Sequence, residues 1–498
     1  MTSIPATTYE TVIGLEVHVQ LLTERKMFCG CSAAYADAPP NTHVCPVCMA
    51  LPGVLPVINR KAVEYTVMTG LALNCRIPSF AKFDRKNYPY PDLLKGYQIS
   101  QYDLPLTAGG WLEIEVEDAP PRRIGITRAH LEEDTARLTH RTDATGESYS
   151  LIDMNRAGVP LMEIVSEPDM RSPEEARAYL VKLRQILRYI GVSKANMEEG
   201  NFRCDANVSL RPAGSEGYGA KVEVKNMNSF RAVYLALRSE VERQTQLLDA
   251  GERIVQETRG WVEAEGRTVS QRSKEEAHDY RYFPEPDLPP VTLTAGEVEE
   301  IGARLPELPD AKLRRFEEEY GLTRYKADLL IESRAKADYF ERAVAPAKAL
   351  DRAAFLDRAT KVANWMTEDF ARLLNTSGLE IDDARVAPRD LYDMIALVEE
   401  GTISGKIAKT VFAEMFRTGK RPADLVGELG LQQISGSDEI GAIVERVLDA
   451  NPKPVSEYLA GKQEALKFLV GQAMRETRGR ANPQTLTETM RARLQERA

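Results

Sequence analysis

Apolar residues recur at every second position over residues 12–21, and this alternation predicts a β-strand. Side chains of a strand point to its two faces in turn. The residues of the apolar face are Ile13, Leu15, Val17, Val19 and Leu21. Glu16 and His18 therefore project together from the polar face. The same period of two predicts neighbouring antiparallel strands over 203–208 and 220–226.

Apolar residues three or four positions apart predict helices elsewhere in the chain. A helix over 172–191 begins with Ser172 and Pro173, which is typical of a capping box with proline at the first helical position. A second helix is expected over 230–250, and the proline-rich stretch 284–290 marks a domain boundary. The rest of the chain is predicted to be helical, over 307–320, 323–350, 353–376, 388–400, 403–418, 437–450, 453–459 and 462–478.

The composition is typical of a globular protein with several domains. Of the 498 residues, 28% are charged and 43% are hydrophobic. The first residues lack a basic segment followed by an apolar run, so no signal peptide is expected. No apolar run reaches the length that spans a membrane. We therefore expect a cytoplasmic chain with reduced thiols and no membrane partner.

Four of the six cysteines are clustered, as Cys29-Gly-Cys31 and Cys45-Pro-Val-Cys48. Paired cysteine knuckles in a reducing compartment are typical of a tetrahedral Zn²⁺ site. Sulfur at all four positions leaves no coordination position for catalysis, so the zinc would be structural and would close the loop 32–44. The alternative is four unrelated core cysteines.

The segment from His130 to Asp134 carries one imidazole and three carboxylates. Together with Glu16 and His18 it offers ligands for Mg²⁺, which takes carboxylate oxygens and completes its shell with waters and substrate phosphates. The alternative is a solvated polar strand face and a charged turn. The spacing alone does not show that the two segments meet.

Two further polar clusters have both a structural and a functional interpretation. A loop rich in basic residues, aromatics and prolines contains Lys86, which suits a phosphate, and Tyr88, which suits a stacked ring. It is otherwise an ordinary ordered loop. In the paired strands, Arg203 and Asp205 are near Lys225, either as cross-strand pairs or as the acid, base and phosphate clamps of an active site.

A basic group lies at the end of the last predicted helix and consists of Arg475, Arg478 and Arg480. It suits a nucleic-acid backbone, and it equally suits a helix carboxyl end, where positive charge is stabilising. The chain has no Walker A loop, because the segment 401–406 has the wrong spacing. If ATP is used, a site other than a P-loop binds it. No amidase nucleophile loop is present in the sequence either.

A series of motifs runs nearly from end to end of the chain. They are Glu10–Val19 (ETVIGLEVHV), Lys82–Tyr88 (KFDRKNY), Gly96–Gln101 (GYQISQ), His130–Asp134 (HLEED), Glu163–Asp169 (EIVSEPD), Arg203–Val208 (RCDANV), Asp279–Asp287 (DYRYFPEPD) and Phe468–Gln472 (FLVGQ). Together they closely resemble the B subunits of the aspartyl/glutamyl-tRNA(Asn/Gln) amidotransferases. The resemblance implies an α+β fold: a cradle-like mixed α/β catalytic domain over 1–293, an all-helical domain over 294–402, and a small helical tail domain over 403–498 that binds tRNA.

The resemblance also implies the activity, an ATP-dependent ligase that makes Gln-tRNA(Gln) or Asn-tRNA(Asn) from misacylated tRNA. This polypeptide would phosphorylate the side-chain carboxylate of tRNA-bound Glu or Asp. The amidase partner, which is the A subunit of such complexes, would release ammonia from glutamine, and ammonia would displace the phosphate. The small C subunit would complete a heterotrimer, and the cognate aminoacyl-tRNA synthetase is a further candidate partner. The missing amidase loop agrees with this division of labour.

The resemblance assigns roles to individual residues. The catalytic residues would be Glu16, His18, Glu132, Glu133 and Asp205, of which the first four would bind Mg²⁺. The nucleotide- and substrate-binding residues would be Lys86, Tyr88, Arg203 and Lys225. The structural Zn²⁺ ligands would be Cys29, Cys31, Cys45 and Cys48. The tRNA-binding residues would be Arg475, Arg478 and Arg480.

Two other functions are compatible with the sequence. The first is a tRNA-binding scaffold without catalysis, although a scaffold has no need of convergent carboxylates. The second is a free metal-dependent hydrolase of acyl-tRNA, which a requirement for ATP would separate from a ligase. The sequence does not distinguish Glu-tRNA(Gln) from Asp-tRNA(Asn) as the substrate, because the chemistry is the same for either.

Overall fold

The computed structural model describes residues 8–273, 280–432, 437–477 and 480–497, with the backbone alone at 272–273 and 437–438. The chain divides into two compact units, of which the first ends at Pro309 and the second begins at Asp310. The three domains expected from the sequence, with boundaries at 293 and 402, stay a prediction.

The first unit combines strands and helices. Its strands are β1 (Tyr9–Gln20), β2 (Phe80–Ala81), β3 (Asp84–Asn87), β4 (Tyr97–Ser100), β5 (Gly110–Ile114), β6 (Arg122–Glu133), β7 (Arg137–Thr142), β8 (Ser148–Asp153), β9 (Pro160–Ser166), β10 (Phe202–Pro212), β11 (Val222–Met227), β12 (Glu257–Val262), β13 (Arg267–Ser273), β14 (Phe283–Pro284) and β15 (Val291–Thr292). Its helices are α1 (Arg60–Ala72), α2 (Pro173–Tyr189), α3 (Phe230–Asp249) and α4 (Ala295–Ala303).

One large sheet organises this unit. Its eight strands follow the order β13-β12-β11-β10-β1-β9-β6-β5. Neighbours are antiparallel except for β11 and β12, which are parallel. The strand predicted over 12–21 is therefore β1, and it lies inside the sheet. The predicted antiparallel pair over 203–208 and 220–226 is confirmed as β10 and β11.

The large sheet has one apolar and one polar face. The apolar face belongs to a core that also contains residues of α1, α2 and α3. The predicted alternation of β1 is confirmed, because its apolar set, Ile13, Leu15, Val17, Val19 and Leu21, is buried in this core. Burying one such side chain contributes about 1.5–3 kcal/mol. A shift of the pairing register of β1 by one residue would expose all five apolar side chains. Burial of these side chains therefore keeps Glu16 and His18 on the polar face.

The strand β6 changes its alternation part-way along its length. The residues that it contributes to the core are Ile124, Ile126, Ala129 and Leu131. The pairing with β9 is shifted between Ile126 and Arg128, so Thr127 is the extra residue of a β-bulge. His130 and Glu132 are thereby placed on the polar face. The alternative of a charged turn at 130–134 is wrong, because residues 130–133 continue the strand.

The start of α2 confirms the predicted Ser172 N-cap and Pro173, whereas the Glu175 side chain bonds the backbone of Arg171 and not that of Ser172 as in a capping box. The Ser172 hydroxyl accepts a hydrogen bond from the Glu175 backbone N–H at 3.1 Å, and Pro173 occupies the first helical position. The Glu175 carboxylate accepts from the Arg171 backbone N–H at 2.7 Å. The helix is followed by Gly191, whose φ of 72° is a conformation that glycine adopts without strain.

Replacing Ser172 with alanine is expected to lower the free energy of unfolding by about 1 kcal/mol, because one backbone N–H at the start of α2 loses its acceptor. Urea unfolding followed by circular dichroism measures the change. The matched control is Ser172→Asp, which keeps an acceptor oxygen and is expected to unfold near the wild-type midpoint. Equal midpoints for the alanine variant and the wild type would show that the cap contributes nothing.

The second unit is built from helices among its described residues. They are α5 (Pro309–Tyr320), α6 (Arg324–Leu330), α7 (Arg334–Val344), α8 (Arg352–Trp365), α9 (Ala371–Ser377), α10 (Pro388–Glu399), α11 (Gly405–Thr418), α12 (Pro422–Glu428), α13 (Ser437–Ala450), α14 (Pro452–Leu459), α15 (Glu464–Glu476) and α16 (Pro483–Glu496). The α+β class is confirmed, with a sheet-containing unit followed by helices. Residues of α13, α15 and α16 share a separate apolar core.

The helix boundaries differ from the sequence prediction in identifiable ways. The single helix predicted over 323–350 is broken, because Ser333 caps a new helix by accepting from the Lys336 backbone N–H. One turn of π-helix, Met366–Phe370, joins α8 to α9 within the helix predicted over 353–376. The helices α4, α12 and α16 were not predicted individually. Among the described residues, no helix is both long and apolar enough to cross a membrane.

Candidate active site

A row of polar side chains crosses four strands of the large sheet. His18 of β1 lies opposite Arg203 of β10 on one side and opposite Glu163 of β9 on the other. Glu163 in turn lies opposite His130 of β6. Directly paired residues share a face of the sheet, so these four side chains are neighbours on its polar face.

Within this row, Nε2 of His130 lies 3.4 Å from Oε2 of Glu163. His18 and Glu163 of the row, together with Glu132 of β6, form a group that we call the His–Glu cluster. The Nε2 atom of His18 lies 3.5 Å from Oε1 of Glu132 and 3.7 Å from Oε2 of Glu163. The ligand atoms of all three residues lie within 4.8 Å of one another. The two carboxylates are buried, so their charge requires a nearby positive partner. One imidazole and two carboxylates form a donor set that a divalent cation can bind.

Only two of the four predicted Mg²⁺ ligands belong to the cluster. Glu133 points to the other side of β6, where its Oε1 atom lies 2.6 Å from Nζ of Lys95. Glu16 shares the polar face with His18, but its Oε1 atom accepts a hydrogen bond from Nδ2 of Asn207 at 2.8 Å. The structure brings Glu163 to the cluster instead. Its signals in the sequence are its place at the start of the Glu163–Asp169 motif and its position as an acid within a mostly apolar strand.

Lys86 supplies positive charge beside the cluster. Its Nζ atom lies 5.1 Å from the ring centroid of Tyr280 and 5.9 Å from that of Tyr88. Burial disfavours its charge, but the carboxylates of Glu132 and Glu163 raise the pKa of Lys86 overall. Lys86 is therefore a partly buried cation whose charge interacts with two carboxylates. The predicted residue Tyr88 is thus a direct neighbour of Lys86.

Arg203 is held by a buried carboxylate. Its Nη2 atom donates to Oδ1 of Asp134 at 3.0 Å, and Gln20 Nε2 donates to Oδ2 of the same carboxylate at 2.7 Å. Burial raises the pKa of Asp134, but the guanidinium groups of Arg203 and Arg156 lower it overall. The side chain of Arg203 is still 38% exposed, which leaves donors for an anionic ligand.

Asp205 of β10 and Lys225 of the next strand, β11, form an ion pair. The Nζ atom of Lys225 lies 2.6 Å from Oδ2 of Asp205 and 3.2 Å from Oε1 of Glu223. Burial opposes the charge of Lys225, but these two carboxylates raise its pKa overall. Asp205 lies opposite Glu16 in the sheet. It therefore belongs to the polar face but does not join the His–Glu cluster.

The four clustered cysteines converge on one point. Their sulfurs lie within 4.8 Å of one another, and the Sγ atoms of Cys45 and Cys48 are 3.9 Å apart. A tetrahedral zinc site with bonds of about 2.3 Å has sulfurs about 3.8 Å apart. The cysteines are free thiols and only partly buried, unlike the buried Cys75 and Cys204. The alternative of four unrelated core cysteines is therefore wrong, and the cluster can bind a metal.

The basic group of the tail is only partly described. Arg475 lies in the last turn of α15 and is exposed. Part of the hydrogen-bonding capacity of Arg480 is already used, because its Nη1 atom donates to the backbone oxygen of Gly430 at 3.3 Å. Arg478 lies outside the described residues. The positions of Arg475 and Arg480 are consistent with stabilisation of the helix carboxyl end. A contact with RNA stays a prediction.

Comparison with known proteins identifies the family. A model described as the GatB/GatE catalytic domain matches residues 11–299, and one described as the GatB domain matches 339–494. The chain belongs to the GatB family. The first match covers every residue of the His–Glu cluster, and the second covers the basic tail group.

Relatives of this GatB-family chain are similar over nearly their whole length. A protein of Thermomicrobium roseum is 58% identical over 488 residues, which cover 98% of this chain and 99% of the relative. Proteins of Dehalococcoides mccartyi strain CBDB1 and of Moorella thermoacetica are each 56% identical, over 98% of this chain and 100% of the relative. All three are named as the B subunit of an aspartyl/glutamyl-tRNA(Asn/Gln) amidotransferase.

Proposed function

We propose that this chain is the carboxylate-activating component of a tRNA-dependent amidotransferase. A carboxylate oxygen of tRNA-bound Glu or Asp would attack the γ-phosphorus of ATP, and ADP would leave. Ammonia would then attack the acyl carbon, and inorganic phosphate would leave with formation of the amide. The observation that carries the proposal is the convergence of His18, Glu132 and Glu163 on one face of the sheet, with the partly buried Lys86 of β3 beside them. The names of the full-length relatives support it.

The His–Glu cluster would hold Mg²⁺, which supplies charge neutralisation at the phosphates when bound. The residues around it would act on the substrates directly. Lys86 would neutralise an anionic oxygen near the carboxylates of the cluster. Arg203, which Asp134 holds in place, would donate to phosphate oxygens, and Lys225 would do so from the neighbouring strand. Glu16 and Asp205 stay in the proposal as acidic groups on the same polar face, and Glu133 stays in it from the other side of β6.

The cysteine cluster would hold structural Zn²⁺. Cys29, Cys31, Cys45 and Cys48 supply four sulfurs, so no position would remain for a substrate. A zinc ion bound there would cross-link the chain on either side of the loop 32–44. We assign it to folding and not to chemistry.

The proposal includes partners and location. The amidase partner, the A subunit, would supply ammonia, and the small C subunit would complete a heterotrimer that acts on misacylated tRNA(Gln) or tRNA(Asn). The cognate aminoacyl-tRNA synthetase would deliver this tRNA. Arg475, Arg478 and Arg480 would contact the RNA backbone. The complex would be cytoplasmic, without a membrane partner.

Phosphate release tests this function. We expect the chain, combined with its two partner subunits, Mg²⁺, ATP and glutamine, to release phosphate with Glu-tRNA(Gln) or Asp-tRNA(Asn) and not with uncharged tRNA. The reason is that only a misacylated tRNA offers a side-chain carboxylate to ATP. Comparing the two misacylated tRNAs identifies the substrate.

Two outcomes would replace the proposal. No phosphate release with any tRNA would favour a tRNA-binding scaffold without catalysis. Loss of the aminoacyl group from tRNA in the absence of ATP would favour a metal-dependent hydrolase.

A further inference from the structure

Four tyrosines lead from the surface of the first unit to the His–Glu cluster, and we call them the tyrosine row: Tyr102, Tyr282, Tyr280 and Tyr88. The rings of Tyr102 and Tyr282 are stacked, with centroids 4.3 Å apart and an interplanar angle of 8°. Tyr282 meets Tyr280 edge-on at 6.1 Å, and Tyr280 meets Tyr88 edge-on at 5.7 Å. The row is therefore a continuous series of aromatic contacts.

The inner end of the row is the candidate active site. The ammonium group of Lys86 lies over the rings of Tyr280 and Tyr88, and its charge interacts with Glu132 and Glu163. A ligand that contacts the row at its outer end could thus extend its charged part toward the cluster and Lys86.

The outer end of the row is open but held in place. Tyr102 is 51% exposed, although the stacked ring of Tyr282 covers part of its surface. Its backbone N–H donates to Oδ2 of buried Asp84 at 3.1 Å, and Asp84 also pairs with Lys82. Single exposed aromatic residues need no explanation. A stacked pair with an anchored backbone offers a fixed aromatic face on which another flat ring can stack.

The backbone between Tyr280 and Tyr282 is strained. Arg281 has a φ of 45°, in the left-handed region that side chains other than glycine rarely adopt. Asn87, in the strand that carries Lys86, holds this conformation. Its backbone N–H donates to the oxygen of Tyr280 at 2.9 Å, and its Nδ2 atom donates to the oxygen of Arg281 at 2.8 Å. Strain of this kind persists where the surroundings fix it, often at binding sites.

We propose that the Tyr102–Tyr282 pair is a stacking site for an adenine ring whose phosphate end reaches toward the His–Glu cluster. The inference rests on the proposed function, which brings two adenines to this region: the base of ATP and the 3′-terminal base of the tRNA. The recognition chemistry is the same for both, because a tyrosine ring stacks on either base.

Two binding measurements on the full-length chain test the site and identify the adenine. Equilibrium dialysis gives the Kd of ATP with Mg²⁺. Filter binding gives the Kd of uncharged tRNA with and without its 3′-terminal adenosine. Tyr102→Leu is expected to weaken one of these contacts by about tenfold, the loss typical of one stacked base. A weaker Kd for ATP assigns the site to the nucleotide. The wild type is expected to bind tRNA with its terminal adenosine more tightly than tRNA without it. If Tyr102→Leu removes this difference in Kd, the site is assigned to the acceptor end.

Two control variants make the result decisive. Tyr102→Phe keeps the ring and is expected to bind like the wild type. Tyr325→Leu removes a 73% exposed tyrosine of the second unit and is also expected to change neither Kd. The proposal is overturned if Tyr102→Leu changes neither Kd, or if Tyr102→Phe binds as weakly as Tyr102→Leu. Because binding is measured without turnover, a failure of phosphate release would refute the proposed function separately.

Discussion

Replacing Glu132 with glutamine is expected to lower ATP-dependent phosphate release by about a hundredfold or more. The amide keeps the size of the side chain but removes a negative charge that faces His18 and Lys86. The cluster would then lose both a cation ligand and the charge partner of the partly buried Lys86. Steady-state phosphate release with a misacylated tRNA, partner subunits, Mg²⁺ and glutamine measures the loss. The affinity for uncharged tRNA is expected to stay unchanged.

The matched control is Glu113→Gln. Glu113 lies in β5 of the same sheet, but its side chain is 44% exposed and contacts Arg123 at the surface. This variant loses the same charge without affecting the cluster and is expected to release phosphate normally. A normal rate for Glu132→Gln would remove Glu132 from the active site and leave the convergence of the cluster without a catalytic role.

Replacing Cys48 with serine is expected to release the metal from the cysteine cluster, from about one zinc per chain to almost none. A serine hydroxyl does not form the thiolate that zinc prefers, so three ligands would remain. Structural zinc supplies about 10–16 kcal/mol to zinc-finger peptides. We therefore expect local opening of residues 28–57 to become easier by several kcal/mol. Metal analysis measures the first effect, and hydrogen exchange of this segment measures the second.

The control for this variant is Cys75→Ser, which changes a buried cysteine outside the cluster. It is expected to keep its zinc and the protection of residues 28–57. Full zinc occupancy in Cys48→Ser, or a wild-type chain that binds no zinc, would contradict the structural role. Because the cluster is assigned to folding, phosphate release is expected to fall less in Cys48→Ser than in Glu132→Gln.

Local periodicity was sufficient to predict several parts of the fold. The alternation in β1 identified its buried face, because five apolar residues leave a single register that buries them all. The helix start at Ser172 was predicted from one polar residue and the proline after it. The cysteine cluster was predicted because its signal is the residue type itself. In each case, the deciding interaction lies within a short stretch of sequence.

The remaining parts depend on contacts between distant residues. Glu163 joins the cluster only because β9 pairs with β1 and with β6, and no short spacing encodes that order of strands. Glu132 and Glu133 were predicted to act together, but neighbouring residues of a strand face opposite ways. Tyr102 and Tyr282 stack although they are far apart in sequence. Pairwise contacts of this kind are decided by tertiary packing.

The β-bulge at Thr127 has a consequence for how this segment tolerates change. Before it, the even-numbered residues Ile124 and Ile126 are buried, and after it the odd-numbered residues Ala129 and Leu131 are buried. Deleting Thr127 would remove the extra residue and restore regular alternation, so Ile126 and Ala129 would stay inside and His130 and Glu132 would stay on the polar face. A single-codon deletion at the bulge would therefore keep the two faces of β6, whereas a deletion just after it, at Ala129, would turn His130 and Glu132 into the apolar interior.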